Sequence, residues 1–145
     1  MTGIREWKFE DILKISELEK ECFPKEPWSY QALASSFQSD NFIGIVAEEG
    51  ADVIGYGGIT IAADQADIDN VGVTEYFRNS GVGTALLCRL LQLAKAKGVK
   101  KVFLEVRVSN SVAMELYLKS GFKGVYARTR YYSDGEDCLV MAKEL

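Results

Sequence analysis

Residues 71–84 read VGVTEYFRNSGVGT, and residues 104–110 read LEVRVSN. The first stretch starts as an extended apolar run and turns through a loop carrying Gly81 and Gly83. A helical pattern follows it. The second stretch alternates as a strand and ends at Asn110, a residue suited to open a helix. A strand, a glycine loop, a helix N-terminus and a strand-borne carboxylate thus follow one another, a combination suited to holding a phosphate-containing ligand against a nucleophile.

Working outward, Ile4–Phe9 reads as a first strand. Ile12, Ile15, Leu18 and Cys22 fall at helical spacing, so a helix is expected from about Asp11 to before Pro24. The segment Phe23 to Trp28 breaks it, and Ser29 can cap a short helix through Phe37. Phe42–Glu48 and Val53–Ile61 read as paired strands around Glu49-Gly50, and Ile68–Val73 as the next strand. Asn79–Lys97 is periodic, with Val82, Ala85, Leu86, Leu90, Leu93 and Ala94 on one face and Gly98 as the C-terminal stop. In Lys101–Val108, Val102, Leu104, Val106 and Val108 point one way and Phe103, Glu105 and Arg107 the other. A helix opened by Asn110 runs through Lys119 and closes at Gly121. Gly124–Tyr132 and Asp137–Lys143 supply two more strands around an Asp134-Gly135 turn. The expected fold class is mixed α/β in layers, as one domain over residues 1–145.

Composition narrows the chemistry. The chain has 145 residues, 48% of them hydrophobic, with two prolines and a formal net charge of −4. The acidic balance disfavours general nucleic-acid backbone binding. The chain has no histidine, which excludes Ser-His-Asp catalysis and His-based zinc sites. Cys22, Cys88 and Cys138 are odd in number and form no CxxC, so neither a disulfide scaffold nor a metal site is expected. Cys88 is expected to pack as a small hydrophobe within its helix. No stretch is long and apolar enough to span a membrane, and the N-terminus lacks a signal-type apolar region, so the cytoplasm is the expected compartment.

Arg78-Asn79-Ser80-Gly81-Val82-Gly83 carries the anion-binding reading. Glycines let successive N–H groups converge, and the helix start adds free donors and the positive end of its dipole. Such a loop can hold a pyrophosphate without a metal, with Arg78 adding a charge or lying along the surface. A tight strand-to-helix turn would look the same. The loop is neither a P-loop nor a full dinucleotide fingerprint.

RNSGVG matches the Q/R-x-x-G-x-G/A pyrophosphate motif of the GCN5-related N-acetyltransferases, placed between DNVGV and a long helix. With LEVRVSNSVAMELYLKSGF and ARTRYYSDGEDCLVMAKEL, the whole chain resembles the RimI-like branch of that family, the ribosomal-protein alanine N-acetyltransferases. The resemblance implies a GNAT fold: a central, mostly antiparallel twisted sheet with helices on both faces and two parallel strands splayed at an acetyl-CoA site. It implies that Val71, Gly72 and Val73 pair with pantetheine amides, that Asn79, Ser80, Gly81, Val82, Gly83 and Thr84 take the pyrophosphate, and that Asn110 is a second cofactor contact. Read from spacing alone, Gly72 could instead mark a bulge or a close packing contact.

Acetyl transfer to an amine needs proton removal, carbonyl polarisation and support for the departing thiolate. Glu105 matches the family's glutamate and is the candidate base, its value expected to rise by partial burial between Leu104 and Val106. The competing expectation is a salt-bridged, solvent-facing carboxylate. Tyr117, in AMELYLKSGF, matches the family's tyrosine and is the candidate acid; a packed core tyrosine is the alternative. Cys22 and Cys138 lack a histidine to activate them as nucleophiles. Acceptor loops are expected at Phe23–Ser29 and Arg128–Asp134, with Trp28, Tyr131 and Tyr132 as a rigid wall and Glu26 or Asp134 attracting a basic peptide. Trp28 anchoring its loop to the core is the alternative. The branch resemblance implies a protein N-terminus as partner, specifically an N-terminal alanine of a ribosomal protein. A small amine, an antibiotic or a lysine side chain as acceptor, or a non-catalytic acyl-CoA-binding module, are the competing readings.

Overall fold

Successive strand residues point to opposite faces, and the central strands Phe42–Glu49 and Asp52–Ala62 are apolar at consecutive positions, so the sheet needs cover on both sides. The computed structural model describes residues 2–145. Among these, β1 (Thr2–Glu6), β2 (Phe42–Glu49), β3 (Asp52–Ala62), β4 (Gln65–Val73), β5 (Lys101–Arg107), β6 (Lys123–Arg128) and β7 (Cys138–Glu144) form one sheet. The strand order is β1-β2-β3-β4-β5-β7-β6, and every neighbouring pair is antiparallel except β4 and β5. The helices are α1 (Ile12–Cys22), α2 (Tyr30–Phe37), α3 (Val82–Ala96) and α4 (Ser111–Lys119). None is long and apolar enough to cross a membrane.

The α3 face holds the larger core. Leu86, Leu87 and Leu90 are fully buried against Ile45, Ile59, Val102, Leu104 and Met141. Gly55 and Gly57 in β3 permit this approach, because a Cβ at Gly57 would lie 2.9 Å from Leu90 Cδ1. Each such leucine stabilises the fold by about 1.5–3 kcal/mol through burial. The opposite face is covered by α1 and α2, where Ile12, Ile15, Leu18 and Leu33 pack with Trp7, Val46 and Tyr56. Trp7 also donates its indole N–H to Ile45 O at 2.9 Å. Arg5 grips Asp11 with two bonds of 2.8 and 3.0 Å, fixing β1 to the entry of α1.

Caps set the helix ends. Ser29 accepts from Ala32 N at 3.1 Å and Asn110 from Ala113 N at 3.2 Å. Gly98 and Gly121 adopt positive φ beyond α3 and α4.

Several expectations need correction. β1 ends at Glu6, because residues 9–11 form a 3-10 turn rather than strand. α3 begins at Val82, not Asn79, because Asn79 and Gly81 take positive φ. Its buried stripe includes Leu87 and omits Ala85, and Cys88 is exposed rather than packed. β5 stops at Arg107, leaving Val108 43% exposed and outside the inward row. β6 stops at Arg128, so Tyr131 and Tyr132 lie in a loop reaching Asp137 rather than on a strand.

Gly72 sits against the fully buried Tyr56, and a Cβ there would lie 2.6 Å from Tyr56 Cε1 and 2.9 Å from its hydroxyl. Replacing Gly72 with valine should destabilise the protein by about 1–3 kcal/mol. A lower urea midpoint at unchanged slope would show it, and an unchanged midpoint would refute the packing argument.

Candidate functional site

The site begins where a ladder ends. β4 and β5 pair in parallel at Gln65–Lys101, Ala66–Val102 and Asp67–Phe103 only. At the same level the β3–β4 register slips, leaving Asp69 without an opposite residue between Ile68 and Asn70. That bulge re-aims β4, and the two strands diverge. From Ile68 to Val73 the β5-side edge of β4 has no strand partner, so its backbone can receive an extended amide-bearing ligand. Val71 and Val73 pack into the α3 core, and Gly72 is the close contact with Tyr56. The Val73 carbonyl already accepts from Arg78 Nε at 2.9 Å and Cys22 Sγ at 3.4 Å.

Beyond β4, Asn79 at φ +61° and Gly81 at φ +88° turn the chain into α3. No side chain caps α3 at Gly81, so its first N–H groups remain available to an anion. Gly83 and Thr84 lie on that first turn, whereas the Val82 side chain is buried and can offer only backbone. Ser80 bonds the Phe77 carbonyl, which shapes the loop. Arg78 does not reach into this cradle. Its guanidinium folds back on Val73 O and pairs with Glu21 at 3.4 Å, which is the surface placement allowed by the sequence. Asn110 caps α4, and its side-chain oxygen is engaged there.

On the α1 side of the sheet, Glu105 projects from β5 beside the opening. The burial expected for it is absent: 39% of the side chain is exposed, and its oxygens accept from Tyr131 Oη at 3.1 Å and pair with Arg128 Nε at 3.2 Å. A neighbouring carboxylate, Asp67, is held above its ordinary value by desolvation and by the Glu105 charge. Tyr117 comes from α4 and is buried beside Phe122, ring centroids 5.9 Å apart. Burial pushes its phenol to about 12, so the hydroxyl stays a proton donor at neutral pH.

The two expected acceptor loops meet. Arg107 bonds Asp134 at 2.9 Å and Glu136 at 2.9 Å, approaches Glu26 at 3.7 Å, and lies 3.9 Å over the Tyr132 ring. Glu26 accepts from Ser133 N at 2.7 Å and also from its hydroxyl. Lys25 pairs with Asp134 at 3.6 Å. Glu26 and Asp134 are thus tied to Arg107, Ser133 and Lys25, while the cluster of Glu26, Asp134 and Glu136 with Arg107 and Lys25 keeps a net negative charge. Tyr131 stays 46% exposed beside Glu105, whereas Tyr132 packs under Arg107. Trp28 turns inward against the α1–α2 core, so it anchors its loop instead of walling an open groove.

Residues 12–122 match the acetyltransferase (GNAT) family. The chain belongs to the GNAT acetyltransferase family. It is 34% identical over 136 residues to a ribosomal protein bS18-alanine N-acetyltransferase of Haemophilus influenzae, covering 91% of each chain. It is 32% identical over 155 residues to an N-alpha-acetyltransferase of Sulfurisphaera tokodaii, covering 98% of this chain and 92% of that one. The crystal structure of the ribosomal-protein-S18-alanine N-acetyltransferase from Escherichia coli superposes with a TM-score of 0.91 at 28% identity, over 99% of this chain and 94% of that one. The GNAT fold read from the sequence is thus the observed one, and the protein is an acyl-CoA-dependent N-acetyltransferase that uses acetyl-CoA.

The acetyltransferase also contains a group that the sequence reading missed. Glu19 of α1 is fully buried and accepts from Tyr56 Oη at 2.5 Å, Asn70 Nδ2 at 2.6 Å and Trp28 N at 2.7 Å. Burial raises its value while these donors lower it. A signal was present: Glu19 lies four residues after Ile15, on the stripe that α1 buries. Asp67, Asp69 and Arg107 were also overlooked, because their roles come from strand register and loop contact.

Asp69 accepts from Thr60 Oγ1 at 2.8 Å, and burial holds its carboxyl at about 6, above the ordinary 3.8. The folded enzyme therefore binds this proton more tightly than the unfolded chain does. The associated stabilisation is complete below about pH 4 and is lost as pH rises through about 6. Asp69→Asn keeps an acceptor for Thr60 and removes the charge. It should raise unfolding free energy at pH 8 by on the order of 2 kcal/mol, with the gain vanishing below pH 4. Urea titrations at both values test this; a gain independent of pH would contradict it.

Proposed function

We propose that this acetyltransferase acetylates the N-terminal α-amine of a protein in the cytoplasm, and that the acceptor is the N-terminal alanine of a small-subunit ribosomal protein. The observation that carries the reading is the unpaired edge of β4 beyond Asp67, with Glu105 exposed on β5 and Tyr117 buried on α4 within electrostatic reach of Tyr56, whose hydroxyl lies against Gly72 of that edge. The names of the relatives in Haemophilus influenzae and Escherichia coli support the acceptor.

In this reading the β4 edge from Val71 to Val73 binds the pantetheine amides, and the uncapped N–H groups at residues 81–84 hold the pyrophosphate. Acetyl-CoA, when bound, supplies the thioester carbon under attack. Glu105 takes the acceptor's proton directly or through water, positioned by Tyr131 and Arg128. Tyr117 donates its proton to the departing sulfur. The amine attacks directly, and no cysteine is acylated. Tyr131 faces the acceptor; Trp28 and Tyr132 hold the loops that shape its site.

Coenzyme A release should be seen with a ribosomal-type peptide bearing a free N-terminal alanine and not with its N-terminally blocked twin. Turnover confined to spermidine, an aminoglycoside or a lysine side chain would overturn the acceptor. Glu105→Gln and Tyr117→Phe should each lower kcat by about 10²-fold or more, with acetyl-CoA affinity retained. A variant with wild-type single-turnover rate would remove that residue from the chemistry.

A further inference from the structure

A single buried carboxylate joins the parts of the site that must keep a fixed separation. Glu19 Oε1 accepts from Tyr56 on β3 and Asn70 on β4, and Oε2 accepts from the backbone N–H of Trp28 in the loop between α1 and α2. Asn70 immediately precedes the Val71–Val73 edge. The Tyr56 hydroxyl lies directly beside Gly72 on that same edge. Trp28 precedes Ser29, the cap of α2, and follows Glu26, which contacts the second acceptor loop at Ser133. One side chain thus bridges the acceptor loops and the cofactor strand.

The surroundings of Glu19 combine Trp7, Trp28, Leu33, Phe42 and Tyr56 with the polar Ser36, Asp69 and Asn70, and an apolar side chain in its place would leave the Tyr56, Asn70 and Trp28 donors unpaired. Desolvating a carboxylate costs several kcal/mol and is offset only when its donors are well placed. Three donors at 2.5–2.7 Å meet that condition, and their directions fix three separate elements. In acyl transfer, a misplacement of about 1 Å between amine and thioester can cost about 10²-fold in rate.

We infer that Glu19 is a positioning residue that locks the acceptor loop to the cofactor strand, so that it governs acceptor docking while leaving acetyl-CoA binding intact. The inference rests on the α-amine acceptor reading for its kinetic readout and on hydrogen-bond geometry for its structural one. Glutamine can serve in place of glutamate: its amide oxygen accepts from Trp28 N, and its NH2 donates to the Tyr56 oxygen and to Asn70 once that amide turns over. Alanine can do neither.

The test compares Glu19→Ala and Glu19→Gln, both checked by near-UV circular dichroism, with acetyl-CoA and a free-alanine peptide. Glu19→Ala should raise the acceptor KM tenfold or more with acetyl-CoA Kd within twofold of wild type, and Glu19→Gln should restore KM to within threefold. Equal losses in both variants would show that the charge or a proton is needed, and would overturn positioning. Equal weakening of peptide and acetyl-CoA would reduce Glu19 to a general structural role. If the alanine variant does not fold, Tyr56→Phe, which removes one donor without opening a large cavity, should raise acceptor KM at least threefold; wild-type KM would overturn the clamp. Hydrogen exchange at the Trp28 amide needs no acceptor. It should accelerate at least tenfold in Glu19→Ala, or in Tyr56→Phe to a smaller extent, and remain slow in Glu19→Gln. If no α-amine peptide is turned over by the wild-type enzyme, the acceptor reading fails, and the exchange rates alone decide the clamp: unchanged exchange in the disrupting variant refutes it.

Discussion

The molecule is organised by the place where β4 stops pairing with β5. On its other side β4 is bonded to β3 along its length, and β5 is bonded to β7 along its own, so each strand is held firmly by one neighbour. The parallel ladder between them ends after Asp67 and Phe103, and the unmatched Asp69 gives β4 the local twist that takes it away. An unpaired strand edge in the middle of a sheet is costly unless a partner satisfies it. Glu105 stands beside this opening on β5, and Tyr117 of α4 is buried in the core on the α3 side. The divergence therefore leaves open the backbone edge proposed to receive the cofactor.

Electrostatics then fixes the entrance. Arg107 leaves β5 on the same face as Glu105 and collects Asp134, Glu136 and Glu26 from two loops that are distant in sequence. Stacking on Tyr132 holds the guanidinium plane. Surface ion pairs taken singly are weak, but a guanidinium shared among three carboxylates and a ring constrains loop geometry. With Glu19 holding the first loop from below and Arg107 from above, the acceptor side is ordered before substrate arrives. Ordering entropy is then paid during folding and not during each turnover.

The fold was legible because its signals are local. Apolar spacing located α1 and α3, cap residues located α2 and α4, and extended runs between turn signals located the strands, with errors of a few residues at the ends. The ends failed where backbone conformation overrode pattern: positive φ at Asn79 and Gly81 delayed α3, and the turn after Arg107 stranded Val108 in solvent. The loop ahead of α3 and the tyrosine of α4 were readable from motif and spacing. The surroundings of Glu105 were not. Flanking Leu104 and Val106 suggest burial, yet they point to the opposite face, and the exposure of Glu105 depends on what lies across the opening. The contacts of Glu26 and Trp28 were hidden for the same reason: their partners are 107 residues away for Glu26 with Ser133 and nine for Trp28 with Glu19, and pairing in space is invisible to spacing.

The exposure of Glu105 bears on which amine can be used. Removing a proton from a lysine, with a reference value near 10.4, costs about 3 kcal/mol more at neutral pH than removing one from an α-amine, near 8. A dry, apolar pocket could supply that difference by depressing the amine's own value. Glu105 is instead open to solvent and shared with Arg128 and Tyr131, and Asp67 adds a second negative charge nearby. Two carboxylates beside an amine stabilise its ammonium form, which raises the cost for a lysine further. An α-amine starts with a substantial neutral fraction at pH 7–8 and can meet the thioester with only modest help. The electrostatics of this opening therefore favours a chain terminus over a lysine side chain, independently of the loops that recognise the rest of the acceptor.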